Sequence, residues 1–278
     1  MSKVWLITGS SRGLGRALAD AVLAAGDRVV ATSRNPADLR DLVDRHGDHV
    51  RAVALDVTDP VAAQAAVRTA VTEFGRLDVL VNNAGYANSS PFEETPDDDF
   101  RAQVETNFHG VVNVTKAALP VLHEQGSGHI VQISSIGGRV GGTPGLAAYQ
   151  AAKFAVAGFS EVLHNEIAPL GIKVTIVEPG AFRTDWGGSS MRIPPVGPGY
   201  EQTVGRMNAY RVDVDGKQPG DPDRAATAIM SLVDAADPPV RLVLGSDALA
   251  AARRASAARA EEADAWASVS ESTDFTAP

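Results

Sequence analysis

The sequence predicts an α/β fold, a doubly wound parallel sheet of about seven strands with helices on both faces. Three observations lead there. Short apolar runs alternate with amphipathic stretches along the chain, the pattern of parallel strands buried on both sides. A glycine-rich turn joins the first apolar run to the first amphipathic stretch. Small and polar residues gather just after the predicted strands, on the rim where open parallel sheets hold their ligands.

Val4-Trp5-Leu6-Ile7 reads as the first buried strand. It enters Thr8-Gly9-Ser10-Ser11-Arg12-Gly13-Leu14-Gly15, and Leu14, Leu18 and Val22 give the following helix one apolar face. Strand, glycine turn and helix in that order form a phosphate-binding element of Rossmann type. Glycines let the backbone approach a pyrophosphate, and the helix N-terminus turns unpaired N–H groups toward the anion. The spacing is G-x-x-x-G-x-G, a variant of the commoner G-x-G-x-x-G. Arg28–Ser33 and Val50–Leu55 are the next strands. Asp59 as N-cap with Pro60 at the first helical position opens a helix to Phe74. Leu77–Val81 is the fourth strand, followed by a long helix between about Pro96 and Glu124. His129–Ser134 is the fifth, then a helix from about Leu146 to Pro169 and a sixth strand, Lys173–Val177. Asp221-Pro222 repeats the helix opening, for a helix to about Ala235, before a last strand at Val240–Leu244. No linker interrupts the pattern, so residues 1–249 are expected to form one dinucleotide-binding and catalytic domain. Within it the Gly- and Pro-rich segment 183–220 is expected to be a substrate loop or lid, and 250–278 a helical or disordered tail.

A chain of 278 residues with 44% hydrophobic and 21% charged residues is able to bury a substantial core. A net charge of −9 disfavours nucleic acid and anionic membranes as partners. Without cysteine there is no thiolate catalysis, disulfide or cysteine-held metal, and the six histidines show no metal-ligand spacing, so no metal is expected. The first strand begins almost at once, and no apolar run approaches a membrane span, so a cytoplasmic location is expected.

Tyr149 and Lys153, in Y-Q-A-A-K, carry the chemistry. Four residues apart on a helix, they share a face. A phenol is a poor acid or base near neutrality, and a nearby ammonium favours the phenolate, which predicts a lowered Tyr149 pKa. Such a pair passes a proton to or from an alcohol or ketone oxygen. The same spacing also describes a core tyrosine beside a solvated lysine. The company on the same rim decides for chemistry: Asp56-Val57, Asn82-Asn83-Ala84-Gly85, Ser134-Ser135 and Glu178-Pro179-Gly180.

Thr8–Gly15, Asn82–Gly85, Asn107, Ser135, Tyr149–Lys153 and Pro179-Gly180-Ala181-Phe182-Arg183-Thr184 together resemble the short-chain dehydrogenase/reductase family over roughly residues 3–245. Gly-Gly-Arg-Val-Gly after Ser135 and the loop after Gly180 look most like its hydroxysteroid-dehydrogenase-like branch. The resemblance implies an oxidoreductase that interconverts a secondary alcohol and a ketone by hydride transfer, working as a homodimer or homotetramer. Tyr149 would be the general acid or base, and Lys153 would hold the nicotinamide ribose and lower the Tyr149 pKa. Ser135 would hold the substrate oxygen, and Asn107 would anchor a water in the proton relay. Asn107 also reads as a residue that merely caps or kinks its helix. The cofactor would lie on Gly9, Ser11, Arg12, Gly13, Leu14 and Gly15. Asp56 and Val57 would meet the adenine, and Asn83, Ala84 and Gly85 the adenine ribose. Thr184 with the backbone of Pro179, Gly180 and Phe182 would hold the nicotinamide amide. The family commonly sets its serine thirteen residues before the tyrosine, whereas Ser135 precedes Tyr149 by fourteen. The Gly141–Gly145 loop is expected to absorb the extra residue, with Ser134 as the rival.

At the end of the second strand, where an NAD-binding fold places a carboxylate, stand Ser33 and Arg34. A guanidinium binds a ribose 2′-phosphate where a carboxylate would repel it, and Arg12 is a second cation nearby. NADP(H) is therefore the expected cofactor, with NAD(H) open. Phe182, Trp186, Met191, Ile193, Pro194, Pro195, Tyr200, Tyr86 and Phe92 either line an apolar pocket for a hydrophobic ketone or simply pack the lid. A non-catalytic dinucleotide sensor, and an isomerase or lyase on the same scaffold, are the alternatives.

Overall fold

The computed structural model describes residues 2–188 and 190–275. Met1, Ser189 and residues 276–278, which fall within the expected domain, lid and tail, lie outside them. Seven parallel strands form one sheet in the order β3-β2-β1-β4-β5-β6-β7. They are β1 (Val4–Ile7), β2 (Arg28–Ser33), β3 (Val50–Ala54), β4 (Val79–Asn82), β5 (Gly128–Ile133), β6 (Ile172–Pro179) and β7 (Arg241–Leu244). Helices α1 (Gly13–Ala24), α2 (Arg40–His46), α3 (Pro60–Phe74), α4 (Asp97–Val104), α5 (Gly110–Gln125) and α6 (Ala147–Ile167) accompany the first six strands. They are followed by α7 (Arg206–Asp213), α8 (Pro222–Asp234), α9 (Ser246–Ala265) and α10 (Ala267–Glu271).

Alternation along each strand divides the core into two layers. Trp5, Ile7, Val29, Ala31, Val79, Val81 and Val131 face α1 and α8, whose Leu18, Val22 and Ile229 pack on them. Val4, Leu6, Val30, Leu80, Ile130 and Val174 face the other way, onto Val67 of α3, Leu122 of α5 and Leu163 of α6. Both Asp-Pro sequences cap as their chemistry dictates. The Asp59 carboxylate accepts from the N–H groups of Val61 and Ala62, and that of Asp221 from Asp223 and Arg224.

The strand after α3 begins at Val79 rather than Leu77, because pairing with β1 starts at Trp5↔Val79. The two residues just before that start bond differently: the Leu77 main-chain N–H donates to Gln125 Oε1 at 3.0 Å, and the Asp78 carboxylate accepts from Val4 N at 2.8 Å. The long helix expected over 96–124 is interrupted. A π turn at Glu105–His109 separates α4 from α5, with Asn107 at its centre. The 183–220 segment holds a second π turn, Glu201–Gly205, leading into α7. Strands β1 and β4 are neighbours in the sheet although two strands separate them in sequence, so the loops that follow them part on either side of a crevice.

Candidate active site

Thr8 and Asn83 join the two loops at that crevice. The Thr8 hydroxyl accepts from Asn83 N at 2.9 Å and Ala84 N at 3.0 Å, and the Asn83 amide donates to Thr8 O at 2.9 Å and Gly9 O at 3.1 Å. Gly15 makes the approach possible, since a Cβ there would overlap the Asn83 amide. The Asn83 side chain thus knits the two loops together. At the start of α1, Arg12 is extended and no side chain caps the first N–H groups. An uncapped helix N-terminus in a glycine turn suits a pyrophosphate. Beside it lies a cleft of about 380 Å³ lined by Ser11, Arg12, Ser33, Arg34, Asn35 and Asp38. Both arginines border it. Asp38, which the sequence gave no reason to select, also borders it and accepts from Asn35 Nδ2 at 3.1 Å. These residues fit a dinucleotide with its phosphates on the turn. Of the adenine candidates, Asp56 turns one oxygen to Thr58 N and Oγ1, at 3.0 and 2.8 Å. Val57 is buried against Gly110 in the core.

Across the rim, Ser135, Tyr149 and Lys153 come together. The Ser135 hydroxyl accepts from Gly137 N at 3.0 Å and stands beside the Tyr149 phenol, slightly lowering its pKa. Gly141, Gly142 and Gly145 all adopt positive φ, so the loop takes up the extra residue while serine and tyrosine still meet. Ser134 points the other way, its hydroxyl donating to Lys153 O at 3.1 Å. Lys153 Nζ donates to Ile133 O at 2.8 Å and lies 5.7 Å from the centroid of the Tyr149 ring.

The expected acidic phenol is corrected here. Burial pushes Tyr149 up to about 12, with the Ser135 contact opposing weakly, and pulls Lys153 down to about 8. Tyr149 is 7% exposed and Lys153 3%, so loss of hydration outweighs the attraction of the ammonium for a phenolate. Asn107 is buried, with its Nδ2 donating to Tyr86 O and Gln103 O at 2.8 Å each and its Oδ1 accepting from Tyr86 N at 3.2 Å. Its side chain is fully engaged in holding the π turn to the segment after β4.

Residues of the 183–220 segment cover the phenol. The Trp186 ring lies against the Tyr149 ring at a tilt of 53°, centroids 5.0 Å apart, while Met191, Leu146 and Ala87 complete a buried cluster around it, with Ile193 at its edge. Tyr200 lies elsewhere and donates to Glu93 at 2.5 Å, and Phe92 is exposed, edge-on to Phe100. Phe182 departs from its expected place: its ring packs on Gly220 and joins the core layer under α1 and α8, so only its backbone remains at the rim. Thr184 does face the glycine turn, its Cβ 3.4 Å from where a Gly13 Cβ would stand. A polar clasp that no motif announced holds α7 down. Ser89 donates to Asn208 Oδ1 at 2.6 Å, and the buried Arg211 reaches Ser89 Oγ, Asn208 Oδ1 and Pro144 O at 2.8, 2.8 and 3.0 Å. Burial lowers the Arg211 guanidinium to about 10.

A doubly wound sheet with these groups on one rim defines a dinucleotide-binding protein of Rossmann type. The chain matches the short chain dehydrogenase family over residues 3–192. It is 48% identical over 271 residues to Oxidoreductase BOA17 of Botryotinia fuckeliana (strain B05.10), spanning 97% of this chain and 98% of the relative. A short-chain dehydrogenase from Streptomyces avermitilis has the same fold with a TM-score of 0.92 at 42% identity, over 99% of this chain and 100% of that one. An alcohol dehydrogenase from Thermococcus sibiricus, complexed with 5-hydroxy-NADP, follows at TM-score 0.72 and 26% identity, over 88% and 96%. This chain belongs to the short-chain dehydrogenase/reductase family and is an NAD(P)-dependent oxidoreductase acting on CH–OH groups. No described helix is long and apolar enough to cross a membrane.

Proposed function

We propose that the chain interconverts a hydrophobic ketone and its secondary alcohol with NADP(H) as preferred dinucleotide and Tyr149 as the proton-transferring group. The observation that carries this is the meeting of Ser135, Tyr149 and Lys153 on the rim that also bears the glycine turn. The bound dinucleotide supplies or receives the hydride. Ser135 orients the substrate oxygen toward the phenol, and Lys153 holds the nicotinamide ribose. The phenol keeps its proton under the covering segment and is the donor in ketone reduction, while its phenolate is the acceptor in alcohol oxidation. With the Asn107 amide engaged on both sides, a relay water falls to the main chain of the π turn. Trp186, Met191, Leu146 and Ala87 support an apolar partner for the carbonyl. Arg12 and Arg34 on the cleft support the 2′-phosphate, although Asp38 on the same cleft weakens their field. Phe154 and Val162 lie exposed about two turns apart on α6, which supports self-association through that helix, and a monomer in sedimentation velocity would remove this part.

The test is a panel of ketones and alcohols with NADPH and NADH, followed by absorbance of the reduced nicotinamide, on the wild type and Arg34→Asp. Turnover that prefers NADPH and shifts toward NADH by about tenfold or more in the variant is expected. An unchanged preference defeats the phosphate argument, and no turnover with any carbonyl defeats the whole proposal.

A further inference from the structure

Helix α9 touches the loops after β5 and β6, which border the candidate site. At its first turn, Asp247 Oδ2 accepts from Ala181 N at 2.9 Å, on the loop after β6. The carboxylate sits in a notch that only glycines allow: a Cβ on Gly180 or Gly245 would come within 2.5 Å of its oxygens. Three turns later, Arg259 Nη2 donates to Arg139 O at 2.8 Å and Val140 O at 3.3 Å, on the loop after β5 that begins with Ser135. That loop is also held from below. Arg139 Nη1 bonds the wholly buried Glu178 carboxylate at 3.1 Å, and Glu178 pairs in turn with Arg241 of β7. Twelve residues of helix span about 18 Å, so one rigid element fixes the separation of two rim loops.

We propose that α9 is a brace in which Asp247 and Arg259 are positioning residues, Asp247 for the 180–184 loop and Arg259 for the loop bearing Ser135. The catalytic meaning of the brace rests on the function proposed above. Neither residue touches the reacting atoms. Each ties down a backbone whose small displacement would move the serine hydroxyl or the nicotinamide-facing loop off its productive geometry. The two ties act on different groups, so their losses differ. Loosening the Arg259 tie lowers kcat with little effect on dinucleotide affinity. Loosening the Asp247 tie lowers kcat and weakens dinucleotide binding together.

The experiment compares full-length wild type with Arg259→Ala, Arg259→Lys, Asp247→Ala and, as a control on the exposed side of α9, Arg253→Ala. Measured are kcat, the dinucleotide Kd, the primary isotope effect with deuterated reduced nicotinamide, thermal midpoint, and amide exchange in peptides covering 136–140 and 180–184. Expected is a fall in kcat of between about ten- and a hundredfold in both alanine variants. The isotope effect should rise, exchange should speed up in the corresponding loop alone, the lysine variant should restore much of the loss, and Arg253→Ala should behave as wild type. A role confined to stability would instead lower the thermal midpoint and leave the isotope effect and the local exchange unchanged, which overturns the proposal. An active wild type whose two alanine variants keep kcat and exchange rates overturns the brace alone. A wild type inactive toward every carbonyl overturns the proposed function and, with it, the positioning role.

Discussion

Tyr149 shows how far a side chain can be read from its neighbours in sequence. Lys153 lies one helical turn away, as the spacing requires, yet its Nζ faces Ile133 O and the phenol rises to about 12 because Trp186 and Met191 exclude water. The proton is therefore retained on the phenol in the closed state. Replacing it in Tyr149→Phe is expected to lower kcat by at least about a hundredfold while leaving dinucleotide affinity nearly intact. Steady-state kinetics with a fluorescence titration of NADPH checks both halves, and retained turnover would exclude the role. The two serines offer a sharper contrast. Ser135 stands beside the phenol and Ser134 donates to a main-chain oxygen in α6. Ser135→Ala should cost about 2 kcal/mol in transition-state stabilisation, measured as kcat/KM, with Ser134→Ala much closer to wild type. The reverse ranking would reassign the oxygen-holding group.

At the scale of elements, the lid and the interrupted helix matter most. The lid lies over the phenol through one aromatic contact and the Arg211 clasp, so a substrate reaches Tyr149 only when that segment moves. Trp186→Ala removes the indole that lies tilted against the phenol. We expect the Tyr149 pKa to fall toward the ordinary tyrosine value as water returns, and KM for hydrophobic ketones to rise by about tenfold as an apolar partner is lost. Ultraviolet difference titration follows the first and a substrate series the second; a pKa still near 12 would mean that the lid is not what buries the phenol. The π turn places Asn107 with its amide reaching back to Tyr86, which an unbroken helix would aim elsewhere. An additional residue in a helix of ordinary composition leaves no mark in hydrophobic periodicity, and only the reading of Asn107 as a residue that caps or kinks its helix pointed to it.

For the whole molecule, the sheet interior sets a pH limit on stability. His129 on β5 is 4% exposed and its Nε2 meets Thr175 Oγ1 at 3.0 Å. Thr175 donates its own proton to Pro239 O at 2.9 Å, so Nε2 must donate and Nδ1 is left bare in the core. Protonating Nδ1 would bury an unpaired charge near Lys173, and burial first, that lysine second, lowers the His129 pKa from 6.5 to about 4. Between these values the unfolded chain binds more protons than the folded one, so stability rises with pH and is lost on acidification through this window. The loss is expected to be about 3 kcal/mol between about pH 7 and pH 4, and His129→Phe should remove most of the slope. Urea midpoints across that range decide it, and an equally steep variant would place the acid sensitivity elsewhere.

Much of this was legible in the order of residues alone. Seven apolar runs, two Asp-Pro openings and a glycine turn act through neighbours a few residues apart, where backbone geometry and capping leave little choice, and the sheet and its topology class followed from them. The helix in the lid escaped because Arg206–Asp213 has no apolar stripe and is held by Ser89, Pro144 and its own Asn208 and Arg211. The inward turn of Phe182, the pKa of Tyr149 and the grip of Asp247 and Arg259 on the rim escaped for a related reason. Each depends on which distant segment comes to lie within a few ångströms, and hydration, packing volume and hydrogen-bond partners are settled only there.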